Sequence, residues 1–479
     1  MRSTGNKAKS GPALAGNMAA VLVGRILTIA IGFAAIALLT RHLGPEGYGH
    51  YRTVLTLAGI GAILADLGLQ FVVLRRISDP SMDSAATLGA GATLRLIATT
   101  TIMVAVALLS RLLPYDSIVL NGMVIAAPYF VLFQTCMLLQ AVFQKHLRQD
   151  LQMLAETGGG LVMLAGVWLA VRAEGGVGAM LLAMVAGGVV QLSLVWWLAA
   201  RLEPFRPTLD PQQWRDMLRA GLPLAGSRLA LMVILRGDIL ILSLLGSAAA
   251  VGLYGVPSKV FEILSGMSTL FAGMLMPMLV AALSCHDTRA TGRLLTDAVD
   301  TMLIFGGGVL IGFLAFGREI LALLAGDAFA AAYPALCLIG VAITANACGQ
   351  IFRHMLVAMD QQKQAMRVDI TLLAIAVPTY MALVPWLAQT GAALATAAIE
   401  TGLAIGLGRT ALASGHFALT DSRIARIALS AALGWLSMIA GTSMGLHWLV
   451  AGVLGGGLYL GCLFVLRAVP MALLSSRRS

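Results

Sequence analysis

The stretch MAAVLVGRILTIAIGFAAIALLT, residues 18–40, decides the fold class. It contains one charged side chain, Arg25, and it is long enough to cross a hydrocarbon core of about 30 Å as a helix. Backbone groups in that core cannot bond to water, so the segment must be helical. It is too long for the apolar region of a signal peptide and lacks a clean small-residue cleavage site. We interpret it as a first membrane helix that is retained.

Apolar blocks of similar length recur along all 479 residues. The chain is 59% hydrophobic and 11% charged, whereas soluble domains are roughly 45–50% apolar and about 25% charged. The composition therefore predicts an all-α polytopic membrane protein. The fourteen predicted spans are 18–40, 53–74, 87–110, 118–143, 151–171, 177–199, 219–245, 250–283, 298–316, 334–358, 368–387, 391–409, 424–442 and 447–466.

The basic residues indicate how these spans are oriented. With the N-terminus inside, 21 of the 32 Lys and Arg residues fall in segments predicted to be cytoplasmic and five in the opposite loops. This alternation favours an even number of spans and both termini in the cytoplasm. It also explains most of the net charge of +10 without a nucleic-acid partner.

The sequence favours a protein without catalytic chemistry. The longest predicted connection, about 200–218, is too short to hold an extramembrane catalytic domain. The five cysteines are scattered without a CxxC pair, and the seven histidines form no metal motif. We therefore predict no enzymatic activity, no cofactor and no metal.

A short motif occurs twice and suggests an internal repeat. Leu43-Gly44 precedes Tyr48-Gly49 at the start of the second span, and Leu245-Gly246 precedes Tyr254-Gly255 at the start of the eighth. Chance is the alternative, but an offset of six spans favours duplication and a transporter of two six-helix lobes. The predicted domains are an N-terminal lobe (1–200), a C-terminal lobe (201–411) and two extra helices with a tail (412–479).

Charged side chains inside spans are costly and require an explanation. The cations are Arg25, Arg95, Arg228, Arg236, Lys259 and Arg353, and the acids are Asp66, Asp238, Glu262 and Glu400. Arg95 and Arg353 lie near enough to span ends to extend to the interface. Alternatively, Glu400 is a lone packed carboxyl group. Lys259 and Glu262 alternatively form a pair with each other.

The remaining cations predict an anion site. Arg25, Arg228 and Lys259 lie deep in their spans, and in the repeat Arg52 and Arg236 hold related positions. The eighth span carries a polar or small stripe at helical spacing. Its members are Lys259, Glu262, Gly266, Thr269 and Gly273. A cationic lining of this kind suits a diffuse anion such as pyrophosphate. Asp66 and Glu262 are the candidates for proton or sodium coupling.

Two blocks of sequence resemble a known family. The first is LLTRHLGPEGYGHY (residues 38–51), followed by DLGL (66–69) and Arg75-Arg76. The second comprises GLPL (221–224), Asp238, Leu245-Gly246 and VGLY (251–254). These blocks resemble polysaccharide-repeat (O-antigen or exopolysaccharide) flippases of the multidrug/oligosaccharidyl-lipid/polysaccharide exporter superfamily.

The resemblance implies two six-helix lobes, often with two extra helices, and alternating access around a cationic cavity. It implies a cargo of undecaprenyl-pyrophosphate-linked oligosaccharide repeats, moved from the cytoplasmic to the periplasmic leaflet for export as polysaccharide. In the related peptidoglycan-precursor flippases, arginines on the first, second and eighth helices bind the pyrophosphate. Arg25, Arg52 and Lys259 occupy comparable helices, with a lysine in place of arginine on the eighth. The implied partners are this lipid, the bilayer and polysaccharide polymerase machinery.

Other functions remain as alternatives. A drug–cation antiporter of the same superfamily favours an acidic and aromatic site, whereas here the buried charges lean cationic and aromatic residues make up 6% of the chain. A peptidoglycan-precursor flippase is close to the favoured function. A membrane-embedded lipid-modifying enzyme requires clustered His, Asp or metal ligands that the sequence lacks. A purely structural helix bundle leaves Arg25 and Lys259 unexplained.

Overall fold

The structure is a computed structural model that describes residues 11–285, 287–414 and 423–470, with side chains at all of these except 11–22 and 222–236. The described residues form α-helices and one 3-10 helix without a β-strand, which confirms the all-α fold class. The α-helices are α1 (Gly11–Leu64), α2 (Leu69–Ile77), α3 (Ser84–Ser110), α4 (Ser117–Lys145), α5 (Gln149–Arg172), α6 (Val177–Leu202), α7 (Pro211–Leu245), α8 (Ala248–Ser284), α9 (Thr288–Ala325), α10 (Tyr333–Ala358), α11 (Gln362–Ala413), α12 (Ile424–Ser443) and α13 (Trp448–Val465).

Eleven helical segments among the described residues are long and apolar enough to cross a membrane. One is the 42-residue part of α1 from Val23 to Leu64, which at 1.5 Å per residue is about 63 Å long, twice the hydrocarbon thickness. The 52-residue helix α11 is longer still. Counting two spans in each of these helices and adding α7 accounts for the fourteen predicted spans. The chain is a multi-pass membrane protein.

Both long helices are broken where the sequence predicts a connection. In α1 the break is at Gly44, with φ 66° and ψ −178°, and Pro45 follows directly. Positive φ favours glycine, and proline has no N–H to continue the helical bonds. In α11 the break is at Ala388, with φ 46° and ψ −124°. The connection of residues 41–52 left between the first two predicted spans is therefore much shorter in the structure, because the helix resumes at Pro45.

The second span differs from its prediction of one continuous helix over residues 53–74. α1 ends at Leu64, a turn occupies residues 65–68, and α2 begins at Leu69. Leu67 and Gly68 both have positive φ, 46° and 69°. The DLGL motif thus forms a turn within the span, and this turn leaves backbone carbonyl groups without helical partners.

The chain divides into two compact units, Met1–Leu240 and Ile241–Ser479. In the first unit α1 packs against α3, α4 and α5, and α6 packs against α4 and α5. Helices α5 and α6 approach each other closely, and a Cβ on Gly187 would lie 2.7 Å from the carbonyl oxygen of Gly159. Small residues permit such close helix packing in membranes. The lobe boundaries predicted at residues 200 and 411 stay predictions.

The segment between α6 and α7 is held against α3 within the first unit. The carbonyl oxygen of Arg206 would lie 2.0 Å from a Cβ on Gly89, so only glycine allows this approach. Thr93 donates its hydroxyl to the carbonyl of Thr208 at 2.6 Å, and Trp214 donates its indole N–H to the carbonyl of Ala90 at 3.0 Å. The segment is therefore a fixed part of the first unit.

In the second unit α10 packs against α8, α9 and α11, and the last two helices pack against α9. The hydroxyl of Tyr459 on α13 donates to the carbonyl of Ile304 on α9 at 2.9 Å. At the start of α12, Arg423 Nη1 lies 2.7 Å from Asp297 Oδ1 and 2.9 Å from Asp300 Oδ2, both on α9. The final helix pair is thus attached to α9 by an ion pair as well as by apolar contacts.

Candidate functional site

Arg52 combines burial with unsatisfied hydrogen-bond donors. It lies near the start of the second span in α1, and its side chain is 6% exposed. Tyr48 and Tyr51 beside it are buried with ring centroids 6.1 Å apart, and the Tyr51 hydroxyl donates to Met184 Sδ on α6 at 3.7 Å. Nε and Nη2 of Arg52 have no hydrogen-bond partner in the described part of the chain. The packing of Tyr48 and Tyr51 therefore fixes the backbone at Arg52. The guanidinium of Arg52 keeps two N–H donors, Nε and Nη2, available for a ligand.

The chemistry of this guanidinium favours an anionic ligand. Arginine stays protonated in proteins and offers five N–H donors in a rigid fork that matches phosphate oxygens. A buried charge without a partner is costly, and an anion that accepts its donors removes that cost. Of the predicted cationic positions whose side chains are described, Arg52 is the one buried with donors unsatisfied.

The other predicted cations have different surroundings. Arg25 lies in the first half of α1, and its side chain is exposed. Arg228 and Arg236 lie on α7, but their side chains fall outside the described residues. The structure therefore shows the helix on which each of these three arginines lies, but it describes no side-chain contact for Arg228 or Arg236.

Asp66 lies at the turn between α1 and α2, where it binds Arg95 of α3. Arg95 is 1% exposed, and its Nη2 lies 2.7 Å from Asp66 Oδ1. Its Nη1 donates to the carbonyls of Ala65 and Asp66 at 3.2 and 2.7 Å, and its Nε donates to the carbonyl of Gln134 at 3.1 Å. The alternative that Arg95 extends to the interface is wrong, because its guanidinium is enclosed by the turn and by α4.

Lys259 and Glu262 form an ion pair with each other on α8, which confirms the alternative that their charges are paired. Lys259 Nζ lies 3.1 Å from Glu262 Oε1, and the two side chains are 32% and 42% exposed. Further along the predicted stripe, a Cβ on Gly266 or Gly273 would meet no atom within 4 Å. The stripe therefore lies on a side of α8 that no other part of the described structure covers at these two glycines.

One ion pair and one hydrogen bond to a carboxyl group in the second unit were not predicted. Arg353 of α10 binds Asp369 of α11 through two bonds, Nη1 to Oδ2 at 2.7 Å and Nη2 to Oδ1 at 2.8 Å. Glu400, 9% exposed in the second half of α11, accepts a bond of 2.9 Å from Nδ2 of Asn346. Glu400 is therefore not a lone carboxyl. Arg353 has an ion-pair partner, and its extension to the interface stays a prediction.

An ion cluster lies at the end of the first unit that is predicted to face the cytoplasm. Lys145 Nζ lies 2.5 Å from Glu203 Oε1, and His146 Nε2 lies 3.3 Å from Oε2. Burial alone raises the pKa of Glu203, but the hydrogen bonds from Lys145 and His146 outweigh it and hold the pKa below its usual value. The carboxylate is therefore ionised at neutral pH and binds the end of α4 to the segment after α6.

The fold is similar to that of several solved transporters. A lipid II flippase, MurJ in an inward closed conformation, matches with a TM-score of 0.73 and 11% identity over 95% of this chain and 99% of that one. A multidrug resistance MATE family transporter of the MOP superfamily, inward-facing, matches with a TM-score of 0.63 and 15% identity over 81% and 95%. A MOP superfamily transporter from Pyrococcus furiosus, described as having a binding pocket of reverse polarity, matches with a TM-score of 0.54 and 13% identity over 82% and 93%.

At these identities the similarity concerns the fold, and membership of a family rests on the sequence match. No match was found among curated protein sequences. The family model described as polysaccharide biosynthesis protein matches residues 14–282, which is more than half of the chain and includes both motif blocks. On this match, the chain belongs to the polysaccharide biosynthesis protein family.

Proposed function

We propose that the protein translocates undecaprenyl-pyrophosphate-linked oligosaccharide repeat units from the cytoplasmic to the periplasmic leaflet of a bacterial inner membrane. The family match and the fold shared with a lipid II flippase support a lipid-linked cargo in polysaccharide biosynthesis. Alternating access moves the head group while the polyprenyl chain stays in lipid, so the reaction needs no covalent step. The protein is accordingly a transporter and not an enzyme.

The observation that carries the proposal is the buried guanidinium of Arg52 with its unsatisfied Nε and Nη2. A pyrophosphate offers several acceptor oxygens and a diffuse negative charge, which is what a rigid two-donor fork binds best. An organic cation gains nothing from this group. Arg52 therefore favours an anionic cargo over the cationic cargo of a drug antiporter.

The remaining predicted cations support the same role in their own units. Arg25, Arg228 and Arg236 lie on the first and seventh spans of the first unit, and Lys259 lies on the open stripe of α8 in the second. We assign all four to binding of the pyrophosphate during transport. Lysine acts there as a point charge, whereas the arginines bind phosphate oxygens through two donors.

The two predicted ion-coupling acids each have a basic partner. Asp66 binds Arg95, and Glu262 binds Lys259. We propose that uptake of a proton or sodium ion at either acid weakens its ion pair. At Glu262 this frees Lys259 for the cargo, because the lysine then loses its competing carboxylate. Moving one charge across the membrane is worth about 2.3 kcal/mol per 100 mV, so an inside-negative potential assists export of an uncompensated dianion.

The proposed orientation has both termini in the cytoplasm, with an N-terminal lobe (1–200), a C-terminal lobe (201–411) and two added helices (412–479). It places the Lys145–Glu203 cluster on the cytoplasmic side and Arg52 towards the periplasm. Released repeats then reach the polymerase machinery on the periplasmic side, which makes that machinery the expected partner.

Complementation of a cell that lacks the gene tests the function. Wild type restores surface polysaccharide and clears lipid-linked repeats from the cytoplasmic leaflet, whereas Arg52→Gln leaves the repeats there. Arg111→Gln, a change at an exposed arginine after α3, is the matched control and restores both. Unchanged polysaccharide with altered resistance to cationic drugs contradicts the proposal and favours an antiporter. Loss of cell-wall precursor export in the mutant favours a peptidoglycan-precursor flippase instead.

A further inference from the structure

The α10–α11 hairpin carries four polar side chains that the proposed cargo site does not use. Asn346 and Arg353 are seven residues apart on α10 and therefore share one face, two turns apart. Asp369 lies in the first half of α11, and Glu400 lies in the second half, beyond the break at Ala388. Asn346 binds Glu400, and Arg353 binds Asp369. The hairpin thus brings two acids and one base together inside the second unit.

The charges of this group do not balance. Arg353 contributes one positive charge, while Asp369 and Glu400 contribute two negative charges when both are ionised. The group then has a net charge of −1, and its member Glu400 is buried at 9% exposure, which is unfavourable for an uncompensated charge. One added proton makes the group neutral.

The proton belongs on Glu400 and not on Asp369. Asp369 receives two short bonds from the guanidinium of Arg353, at 2.7 and 2.8 Å, which stabilise its ionised form. The hydrogen-bond partner of Glu400 is a neutral amide, at 2.9 Å. Arg353 also attracts Glu400 through space, but Asp369 offsets part of that attraction.

Asn346 is suited to both protonation states of Glu400. Its Nδ2 donates to the carboxylate, while its Oδ1 is buried and has no hydrogen-bond partner among the described residues. A rotation of the Asn346 side-chain amide by about 180° exchanges the positions of Oδ1 and Nδ2. A protonated Glu400 then donates its O–H to the free Oδ1. Asn346 can therefore satisfy Glu400 with or without the proton, and the change needs a single side-chain rotation.

The neighbouring helices hold their own charges in separate pairs. On α8, Lys259 pairs with Glu262. On α9, Asp297 and Asp300 are both bound by Arg423, and Asp300 faces Cys348 of α10. The described charged groups that act on Glu400 are Arg353 and Asp369.

We propose that Glu400 is a proton-binding site of the second unit, with Asn346 as the hydrogen-bond partner that turns over when the proton enters or leaves. The proposal concerns binding of a proton to this chain and is independent of the cargo. It adds a third acid to Asp66 and Glu262, and it differs from them because its direct partner is uncharged.

Infrared difference spectroscopy on the full chain in lipid vesicles, without cargo, tests this directly. Lowering the pH is expected to produce a C=O band of a protonated carboxylic acid. Glu400→Gln removes that band, whereas the matched control Glu319→Gln, at an exposed position of α9 in the same unit, retains it. A band of wild-type size in Glu400→Gln overturns the proposal. Removal of the band by sodium at constant pH also overturns it, because the site then binds a metal cation.

Two further variants guard against a folding defect in Glu400→Gln. Glu400→Asp keeps a carboxyl group, so its acid band is retained but shifted. Asn346→Leu leaves Glu400 intact and shifts the band because the neighbouring hydrogen bond is lost. An unshifted band in Asn346→Leu contradicts the role of Asn346. Since no cargo is present, failure of this experiment leaves the proposed transport function standing, and failure of the complementation test leaves the proton site standing.

Discussion

The guanidinium of Arg95 binds both the side chain and the main chain of Asp66. Nη2 lies 2.7 Å from the carboxylate Oδ1, and Nη1 lies 2.7 Å from the carbonyl oxygen of the same residue. In the turn at residues 65–68 that carbonyl accepts from the backbone N–H of Leu69 as well as from the guanidinium of Arg95, so a cation from α3 stabilises the turn. A break in a membrane helix is tolerated where neighbouring helices supply such partners.

This relationship predicts that Arg95→Ala destabilises the first unit strongly. Removing one member of a buried ion pair leaves an uncompensated charge and typically costs about 3–5 kcal/mol. The measurement is the free energy of unfolding in mixed micelles. Arg75→Ala, at an exposed position of α2, is the control and changes stability little. A loss in Arg95→Ala no larger than in Arg75→Ala would show that the pair is not structural.

The double bond between Arg353 and Asp369 predicts that lysine does not replace Arg353. Arg353→Lys keeps the charge but loses the second of the two parallel bonds, so we expect a loss of about 1–3 kcal/mol. Thermal unfolding of the purified protein measures this. Arg367→Lys, an equally conservative change at an exposed position of α11, serves as the control and leaves the midpoint unchanged. Equal midpoints for both variants would contradict the importance of the forked geometry.

The cluster around Glu203 predicts a stability term that depends on pH. The pKa of Glu203 is lowered in the folded protein. The stabilisation by this carboxylate is therefore fully present above the usual glutamate pKa of about 4.3, and it is lost as the pH falls through the lower pKa of the folded protein. Glu203→Gln should therefore cost about 1–3 kcal/mol at pH 7, and the difference from wild type should shrink below about pH 4. Thermal unfolding against pH measures both. A difference that is constant with pH would contradict this assignment.

The attachment of the last two helices predicts local loosening in Arg423→Gln. The Asp297 hydrogen bond raises the pKa of Arg423, and removing the guanidinium leaves two carboxylates on α9 without their cation. Backbone amides of α12 should then exchange hydrogen for deuterium faster than in wild type. Arg426→Gln, at an exposed position one turn later, is the control. Unchanged exchange in α12 would mean that apolar contacts alone hold these helices.

Much of the fold could be predicted because the membrane leaves few choices. Apolar length gave the spans and basic residues gave the proposed orientation. The break inside the second span was missed because a turn that is satisfied by side chains from other helices leaves no gap in hydropathy. Only the DLGL motif, with glycine at a position of positive φ, marked it.

The candidate site was predicted less completely because pairing depends on which helices are adjacent. Asp66 and Arg95 lie on two different spans, and their contact depends on how these spans pack. Arg353 and Asp369 did carry a signal, since each is eight residues from Gln361 in the turn between α10 and α11. A tight helical hairpin places such residues at the same depth. The burial of Arg52 depends on Tyr48, Tyr51 and α6, which no local pattern reveals.

The most direct test of transport uses the purified chain in liposomes with a polyprenyl-pyrophosphate-linked oligosaccharide. An impermeant reagent that modifies sugars reports how much cargo has reached the outer leaflet. We predict that wild type and Arg111→Gln equilibrate the cargo between leaflets, and that Arg52→Gln slows this at least tenfold while the same lipid without pyrophosphate is not moved. Equal rates for wild type and Arg52→Gln, or equal movement of the lipid without pyrophosphate, would contradict the central claim that Arg52 binds the anionic head group during transport.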